Sequence, residues 1–208
     1  MPKNSVKAII FDLGNVVIDF DHNIAARKIC GFTKTSPSQI YQLFFDSGIT
    51  ELFEEGNIAP REFFLKIKEL LSLSIDYELF LPIWNEIFFF TQRNRQVVEL
   101  AVCLRNSYRL GLLSNINVLH YEYIKNNFPV FEAFHHVMTS FELGKRKPHP
   151  VIYQKALEIL GVDASQVYYT DDRPELIAAA RAMGICGSVF TDTATLKNEL
   201  INNGIMVS

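Results

Sequence analysis

The sequence predicts an α/β protein in which helices cover both faces of a parallel sheet, with a helical cap inserted after the first strand. Short apolar runs bounded by turn residues recur along the chain, which is typical of strands buried on both faces. Helical patterns separate the later runs, and this alternation indicates a parallel sheet. The long stretch between the first run and the second, residues 12–108, has almost no strand pattern.

The first strand is predicted at residues 7–11, where Lys7 leads into four apolar residues. Later strands are predicted at residues 109–113, 136–138, 166–169 and 187–190, and the helices between them at residues 95–106, 151–160 and 174–183. Strands and helices that alternate in this way predict a Rossmann-like sheet.

The stretch after the first strand reads as a series of helices. Residues 60–71 place apolar side chains at helical spacing, and Pro60 suits a first turn. Further helices are predicted at residues 23–30, 37–45, 50–55 and 77–88. A crossover between parallel strands needs only one helix. We therefore expect a core of residues 1–18 and 95–208, and a separate helical cap of residues 19–94.

Composition limits the partners. The 208 residues carry 20 basic and 23 acidic side chains, a formal charge of −3, which gives no general attraction to nucleic acid or to anionic lipid. Residues 1–7 lack the apolar core of a signal peptide, and no apolar run is long enough to cross a bilayer. Cys30, Cys103 and Cys186 form no CxxC pair and are predicted to be buried thiols. We expect a cytoplasmic monomer or homodimer that binds neither nucleic acid nor membrane.

Four polar motifs lie at or beyond predicted strand ends, at the sheet edge where parallel sheets bind ligands. They are Asp12, the pair Ser114 and Asn115, Lys147, and the pair Asp171 and Asp172. Each alone has a simpler interpretation as a helix cap, a turn or a solvated charge. Together they supply a carboxylate nucleophile, groups that bind oxyanions, an ammonium and ligands for a hard cation. Phosphoryl transfer assisted by Mg²⁺ requires this set.

The motifs FDLGNV, LLSN, GKRKPHP and YYTDDRPE follow one another along the chain. In this order they resemble the four motifs of the haloacid dehalogenase superfamily, most of whose members are phosphatases. The likeness is strongest to the branch that contains the N-terminal phosphatase domain of soluble epoxide hydrolase and bacterial sugar phosphate phosphatases. The segment FEEGNI, residues 53–58, resembles a turn between helices in the cap of that branch. The resemblance covers nearly the whole chain and implies a core of the same fold and a small phosphorylated substrate.

The resemblance also implies roles for individual residues. Asp12 would be the nucleophile, and it would hold Mg²⁺ together with the Gly14 carbonyl and Asp172. Ser114 and the backbone amide of Asn115 would bind phosphoryl oxygens, and Lys147 would offset charge on Asp12 and on the phosphoryl group. Asp171 would support the metal ligands or contact the metal through a water.

Two positions depart from the superfamily pattern. Gly14 replaces the usual second aspartate, which protonates the leaving group and activates water, and such assistance is worth roughly 10² to 10⁴ in rate. We therefore expect a preference for good leaving groups, with Asp19, Asp21 or a substrate hydroxyl assisting the water step. Leu176 stands where an Asp or Asn is common, and Glu175 either replaces that group or points away.

Residues 19–22 lie where the chain enters the cap and are candidate pocket residues, although a solvated hinge is the simpler interpretation for Asp21 and His22. Two other functions stay open at this point. One is a dehalogenase-type hydrolase that needs no metal, which the adjacent carboxylates Asp171 and Asp172 disfavour because they would repel an acidic substrate. The other is a weakly catalytic regulatory protein that retains phosphate binding.

Overall fold

The computed structural model describes residues 6–45 and 47–207 and contains a parallel sheet surrounded by helices. The strands are β1 Ala8–Phe11, β2 Asp19–Phe20, β3 Phe88–Phe89, β4 Arg109–Ser114, β5 His136–Thr139, β6 Val167–Asp171 and β7 Cys186–Val189. The helices are α1 His22–Ile29, α2 Pro37–Phe45, α3 Gly48–Glu54, α4 Pro60–Leu71, α5 Tyr77–Asn85, α6 Gln92–Arg105, α7 Val118–Asn127, α8 Ser140–Leu143, α9 Pro150–Leu160, α10 Pro174–Ala182 and α11 Thr193–Asn202.

Five strands form the main sheet in the order β5-β4-β1-β6-β7, all parallel. Alternate residues of β1 enter different cores, because successive side chains of a strand point to opposite faces. Ile9 and Phe11 belong to one apolar cluster, and Ala8 and Ile10 to another. Helices cover both faces, so the predicted fold class is confirmed.

Helices α1–α5 form what we call the helical insertion, and they have an apolar core of their own. Aromatic rings fill it: Phe53 stacks on Phe63 at 4.4 Å between centroids, and Trp84 meets Phe44 edge-on at 4.9 Å. Where the chain leaves and re-enters the sheet region, Asn94 Nδ2 donates to Asp19 Oδ1 at 3.2 Å. The division of the chain at residues 19 and 94 stays a prediction.

A short antiparallel pair joins the two ends of the insertion, and the sequence pattern did not predict it. Strands β2 and β3 place Phe20 opposite Phe88. The helix predicted at residues 77–88 ends at Asn85, so its last turn is wrong. Phe88 also packs on both the insertion core and the sheet core, and this tertiary environment outweighs the local helical pattern.

Helices α7 and α11 were also missed, because each buries only a few side chains. In α7 these are His120 and Ile124, too few to produce a clear apolar period. Both helices begin with a polar cap: Asn117 accepts from the His120 amide at 3.0 Å, and Asp192 accepts from the Thr195 amide at 2.8 Å.

The prediction of buried thiols is wrong for Cys103 and Cys186, which are exposed, and Cys30 is half-buried. Within residues 6–45 and 47–207, no helix has both the length and the apolar character needed to cross a bilayer. Most of the segment on which the signal-peptide prediction depends, residues 1–5, lies outside the described residues.

Candidate active site

The sheet register brings the predicted motifs to one edge. Phe11 pairs with Leu112 on one side and with Thr170 on the other, so the carboxyl ends of β1, β4 and β6 are level. A cavity of about 510 Å³ opens there. Its lining includes seven of the predicted site residues, namely Asp12, Gly14, Ser114, Asn115, Lys147, Asp172 and Glu175. The eighth, Asp171, is fully buried, and Lys147 connects it to Asp12.

Lys147 is a buried ammonium held by oxygen atoms. Its Nζ lies 2.7 Å from Asp12 Oδ1 and 2.7 Å from Asp171 Oδ2, and it donates to the Leu113 carbonyl at 2.9 Å. The Tyr169 hydroxyl lies 3.1 Å from the same nitrogen and donates to Asp171. Sequence reasoning missed Tyr169, yet Tyr169 and Asp171 are two residues apart on one strand, a spacing that places both on one face.

Burial and charge set the protonation of this group. Burial raises the pKa of Asp12 to about 7, and the nearby ammonium of Lys147 opposes that rise. Burial also favours the protonated form of Asp171, but the Lys147 charge and hydrogen bonds from Lys147 and Tyr169 lower the pKa of Asp171 below its ordinary value. Burial alone would lower the pKa of Lys147, and the two carboxylates raise it instead. Lys147 is therefore charged at neutral pH.

Asn115 fixes the loop that carries Lys147. Its Oδ1 accepts from the Lys147 amide at 2.7 Å, and its Nδ2 donates to the Lys147 carbonyl at 2.9 Å. The predicted binding of a phosphoryl oxygen by the backbone amide of Asn115 stays a prediction. So does the role of Ser114, whose side chain is buried at the end of β4 and lines the cavity.

Asn15 is a site residue that sequence reasoning missed. It has a φ of 56°, in the left-handed region that Asn tolerates better than most residues. From there Asn15 Nδ2 donates to Asp172 Oδ2 at 3.2 Å. An asparagine directly after Gly14, in the turn that follows the nucleophile candidate, was the available signal.

A neighbouring ring, that of Phe20, occupies the space beside Gly14 where a side chain would begin. A Cβ atom at this position would lie 2.6 Å from Cε1 of Phe20, far inside van der Waals contact. The Phe20 ring therefore lies against the place where the superfamily's second aspartate would begin.

Three carboxylates are grouped closely enough to share a cation. Each of Asp12, Asp171 and Asp172 has one carboxylate oxygen in this group, and the three oxygens lie within 4.8 Å of one another. Three carboxylates beside one ammonium leave an excess of negative charge, and oxygen ligands suit Mg²⁺, so these residues fit the predicted metal. Burial raises the pKa of Asp172, which is consistent with a carboxylate that lacks a full counter-charge.

The fourth motif ends differently from the superfamily pattern. Leu176 is buried and lines the cavity with an apolar side chain. Glu175 accepts from Arg173 Nε at 2.8 Å, and its side chain is half exposed. Glu175 is outside the group of three carboxylates, and its predicted supporting role stays a prediction.

Five aromatic and imidazole rings line one part of the cavity. We call Phe20, His22, Tyr41, Phe88 and His120 the aromatic wall. The solvated-hinge interpretation is wrong for His22, which lies in this wall, and Asp21 also lines the cavity. Asp19 lies elsewhere, in an ion pair with Arg93, so the structure disfavours it as the group that assists the water step.

The turn with the sequence FEEGNI lies beside the cavity and contacts the main sheet with helices α6–α11, which we call the sheet domain. Arg146 forms ion pairs with Glu51 at 2.8 Å and with Glu54 at 2.7 Å. Burial raises the pKa of Glu54, against the lowering effect of Arg146. The Ser140 hydroxyl donates to the Glu54 carbonyl at 2.6 Å. The Arg146 side chain is only 20% exposed, so this contact is largely shielded from solvent.

Comparison with known proteins decides the family. The sequence profile of the haloacid dehalogenase-like hydrolases matches residues 6–184. The chain belongs to this family. The predicted resemblance and the predicted enzyme class, a hydrolase, are thereby confirmed.

Several curated relatives of this family member are named phosphatases. The D-ribitol-5-phosphate phosphatase of Bacteroides thetaiotaomicron is 25% identical over 185 residues, covering 86% of this chain and 89% of the relative. The glyceraldehyde 3-phosphate phosphatase of Pyrococcus abyssi is 39% identical over 183 residues, covering 81% of this chain and 74% of the relative. These activities are those of the two relatives.

The fold has close counterparts among solved structures. A haloacid dehalogenase family enzyme from Bacteroides thetaiotaomicron, crystallised with magnesium and inorganic phosphate, superposes with a TM-score of 0.78 at 28% identity. The match covers 90% of this chain and 95% of that one.

Proposed function

We propose that this family member is a Mg²⁺-dependent phosphatase that hydrolyses small phosphomonoesters through an aspartyl phosphate on Asp12. Sugar phosphates or other phosphates with good leaving groups are the expected substrates. The observation that carries the proposal is the buried Lys147 ammonium, 2.7 Å from both Asp12 and Asp171 at the base of the cavity. The phosphatase relatives, and the solved structure with magnesium and phosphate, support it.

The reaction would proceed in two displacements at phosphorus. The Asp12 carboxylate attacks phosphorus while the bond to the ester oxygen breaks, and the departing alkoxide takes a proton from water. A second water then attacks phosphorus, the bond between phosphorus and Asp12 breaks, and phosphate is released. The proton that this water loses neutralises the hydroxide left by the first water. Lys147 stays protonated throughout and offsets negative charge on Asp12 and on the phosphoryl oxygens.

The metal contributes charge neutralisation. When bound, Mg²⁺ offsets charge on the phosphoryl oxygens. Asp12, the Gly14 carbonyl and Asp172 would hold it, with Asp171 fixed behind them by Lys147 and Tyr169. Ser114 and the Asn115 amide would bind the remaining phosphoryl oxygens. The Asn15 side chain keeps Asp172 in place through its hydrogen bond to Oδ2.

The experiment is a hydrolysis screen of aryl, acyl, sugar and simple alkyl phosphates, with Mg²⁺ and with EDTA. We expect turnover that requires Mg²⁺, is abolished by Asp12→Asn and is faster on aryl than on alkyl esters. The matched control is Asp192→Asn, an exposed carboxylate at the start of α11, where Asn retains the cap. Binding of beryllofluoride without any hydrolysis would favour the regulatory alternative. Metal-independent halide release from a 2-haloacid would favour the dehalogenase.

A further inference from the structure

We propose that the alcohol half of the substrate carries an aromatic ring next to the ester oxygen, and that this ring packs on the aromatic wall. The inference rests on the proposed phosphatase function and narrows its expected substrates from sugar phosphates and other phosphates with good leaving groups to monoesters with an aromatic leaving group.

The wall begins beside the reacting group. Phe20 Cε1 would lie 2.6 Å from a Cβ atom on Gly14, and Gly14 is two residues from Asp12. Asp12, Gly14 and Phe20 all line the same cavity, so the leaving group of a phosphate bound at Asp12 would face the Phe20 ring. The first protein surface that the leaving group meets is then an aromatic ring. Many phosphatases of this family would have a carboxylate at that place.

The other rings continue the surface. The Phe20 ring meets His22 edge-on at 5.2 Å and lies 6.1 Å from Phe88, and Phe88 meets His120 edge-on at 5.0 Å. Tyr41 stands edge-on to His22 at 6.4 Å. These centroid distances and edge-to-face angles are those that aromatic pairs prefer, and a further ring can join such a set in the same way.

The two histidines belong to this surface as neutral rings. A carbonyl oxygen only accepts hydrogen bonds, so His120 Nε2 carries the proton that bonds to the Trp84 carbonyl at 3.0 Å. His120 Nδ1 then accepts from Asn117 Nδ2 at 3.1 Å. Burial supports this state, because it lowers the pKa of His120 to about 3 and that of His22 to about 4. Neutral imidazoles favour a flat uncharged group over a second anion.

The cationic side chains of the lining are already paired. Arg146 contacts Glu51 and Glu54, and Arg173 contacts Glu175 at 2.6 Å. A second phosphate or carboxylate on the substrate would have to displace one of these acids. The Phe20 and Phe88 side chains cannot form hydrogen bonds with the hydroxyl groups of a sugar or polyol substrate. A monoester whose alcohol carries one aromatic ring needs neither a second unpaired cation nor hydrogen bonds from these two rings.

The test compares three esters of primary alcohols, namely benzyl phosphate, cyclohexylmethyl phosphate and glycerol 1-phosphate, with Mg²⁺ present. All three have poor leaving groups of similar acidity, so a preference among them reports binding of the alcohol. We expect a KM for benzyl phosphate at least about fivefold below the other two, the ratio that an aromatic contact supplies. A KM for cyclohexylmethyl phosphate equal to that for benzyl phosphate would overturn the proposal, as would three equal values.

Two variants locate the effect. Phe20→Leu should reduce the preference for benzyl phosphate, measured as the KM for glycerol phosphate divided by that for benzyl phosphate, about fivefold. Phe89→Leu is the matched control, since Phe89 belongs to the same antiparallel pair but is exposed and outside the cavity lining. Titration of wild-type protein with benzylphosphonate and with ethylphosphonate gives a readout without turnover, and tighter binding of the benzyl compound is expected. If Phe20→Leu does not fold, Tyr41→Leu replaces it.

The two proposals fail separately. Turnover of p-nitrophenyl phosphate that needs Mg²⁺ and Asp12, together with no preference for benzyl phosphate, would overturn the leaving-group class and leave the phosphatase function intact. No hydrolysis of any phosphate would overturn both.

Discussion

At the scale of single residues, Lys147 decides the charge balance of the site. It is the ammonium between the buried carboxylates Asp12 and Asp171, and removing it would leave both without that partner. Breaking a buried ion pair at one partner usually costs more than the pair itself contributes, because the remaining charge stays desolvated. The structure therefore makes the stability of the fold depend on a residue whose proposed role is catalytic.

Replacing Lys147 tests this dependence. We expect Lys147→Met to lower the free energy of unfolding by about 3 to 5 kcal/mol at pH 8, measured by urea denaturation. Lys145→Met is the matched control, because Lys145 forms only a partly exposed ion pair with Glu55 at 3.1 Å and should cost about 1 kcal/mol or less. Equal losses in the two variants would contradict the argument.

Gly14 shows how one missing side chain is accommodated by a neighbour. We expect Gly14→Ala to destabilise the protein by about 1 to 3 kcal/mol, because the new methyl group overlaps the Phe20 ring. In a Phe20→Ala background the same change should cost less by about 1 kcal/mol or more. Gly48→Ala, in the first turn of α3 with no atom within 4 Å, should be neutral or stabilising. Additive costs at Gly14 and Phe20 would show that the two positions do not interact.

At the scale of elements, the sequence predicted the strands of the main sheet because each is a short apolar run between turns. It also placed Asp12, Ser114 and Asp172 at one edge, since parallel strands share their carboxyl ends. The pair formed by β2 and β3 escaped prediction, because a strand of two residues has no period to detect. The position of Phe20 against Gly14 escaped for a second reason, because it depends on the pairing of Phe20 with Phe88, which is far away in sequence.

The turn between α3 and α4 contacts the sheet domain through its backbone. Gly56 has a φ of +71°, and a Cβ there would lie 2.4 Å from the Phe141 carbonyl oxygen. Glycine is therefore required twice, for its conformation and for the close approach. The resemblance identified FEEGNI as a recurring turn, but the contact with α8 that explains its glycine could be found only in the structure.

Comparing two glycines separates these requirements. Gly144 has a φ of +73° and open space around it, so Gly144→Ala measures the cost of the conformation alone, about 1 to 2 kcal/mol. Gly56→Ala adds a backbone clash, and we expect it to lower the free energy of unfolding by about 1 to 3 kcal/mol more than Gly144→Ala. Urea denaturation of both variants measures the difference. Equal costs would mean that the turn moves away from α8 without loss.

At the scale of the whole molecule, the helical insertion and the sheet domain are joined through polar groups that composition and periodicity do not reveal. His120 on α7 stacks on Trp84 of α5 at 4.8 Å and donates to its carbonyl oxygen. Arg146 makes the second junction, to Glu51 and Glu54 of α3. Sequence reasoning predicted an insertion but not these contacts, since each joins elements that are distant along the chain.

The junction at His120 should make the fold sensitive to acid. Burial lowers the pKa of His120 from 6.5 to about 3, so between these values the unfolded chain binds more protons than the folded one. Stability then falls as the pH falls below 6.5. Protonation would also make His120 Nδ1 a donor, and it would then face the NH2 group of Asn117, which is also a donor. The Asn117 amide cannot flip to present its oxygen to Nδ1 without losing the hydrogen bond that this oxygen accepts from the His120 backbone amide. Nearby His22, 6.3 Å away between ring centroids, has a lowered pKa and acts in the same direction.

Urea denaturation at pH 7.5 and 5.5 measures this effect. Wild-type protein should lose about 1.4 kcal/mol through His120 over this interval, the value of one pKa unit. His120→Gln should be less stable at pH 7.5 but should lose about 1 kcal/mol less on acidification. The active-site carboxylates titrate in both proteins, so they cancel in the comparison. If His120→Gln is as sensitive to acid as wild type, His120 is not a neutral link between the insertion and the sheet domain.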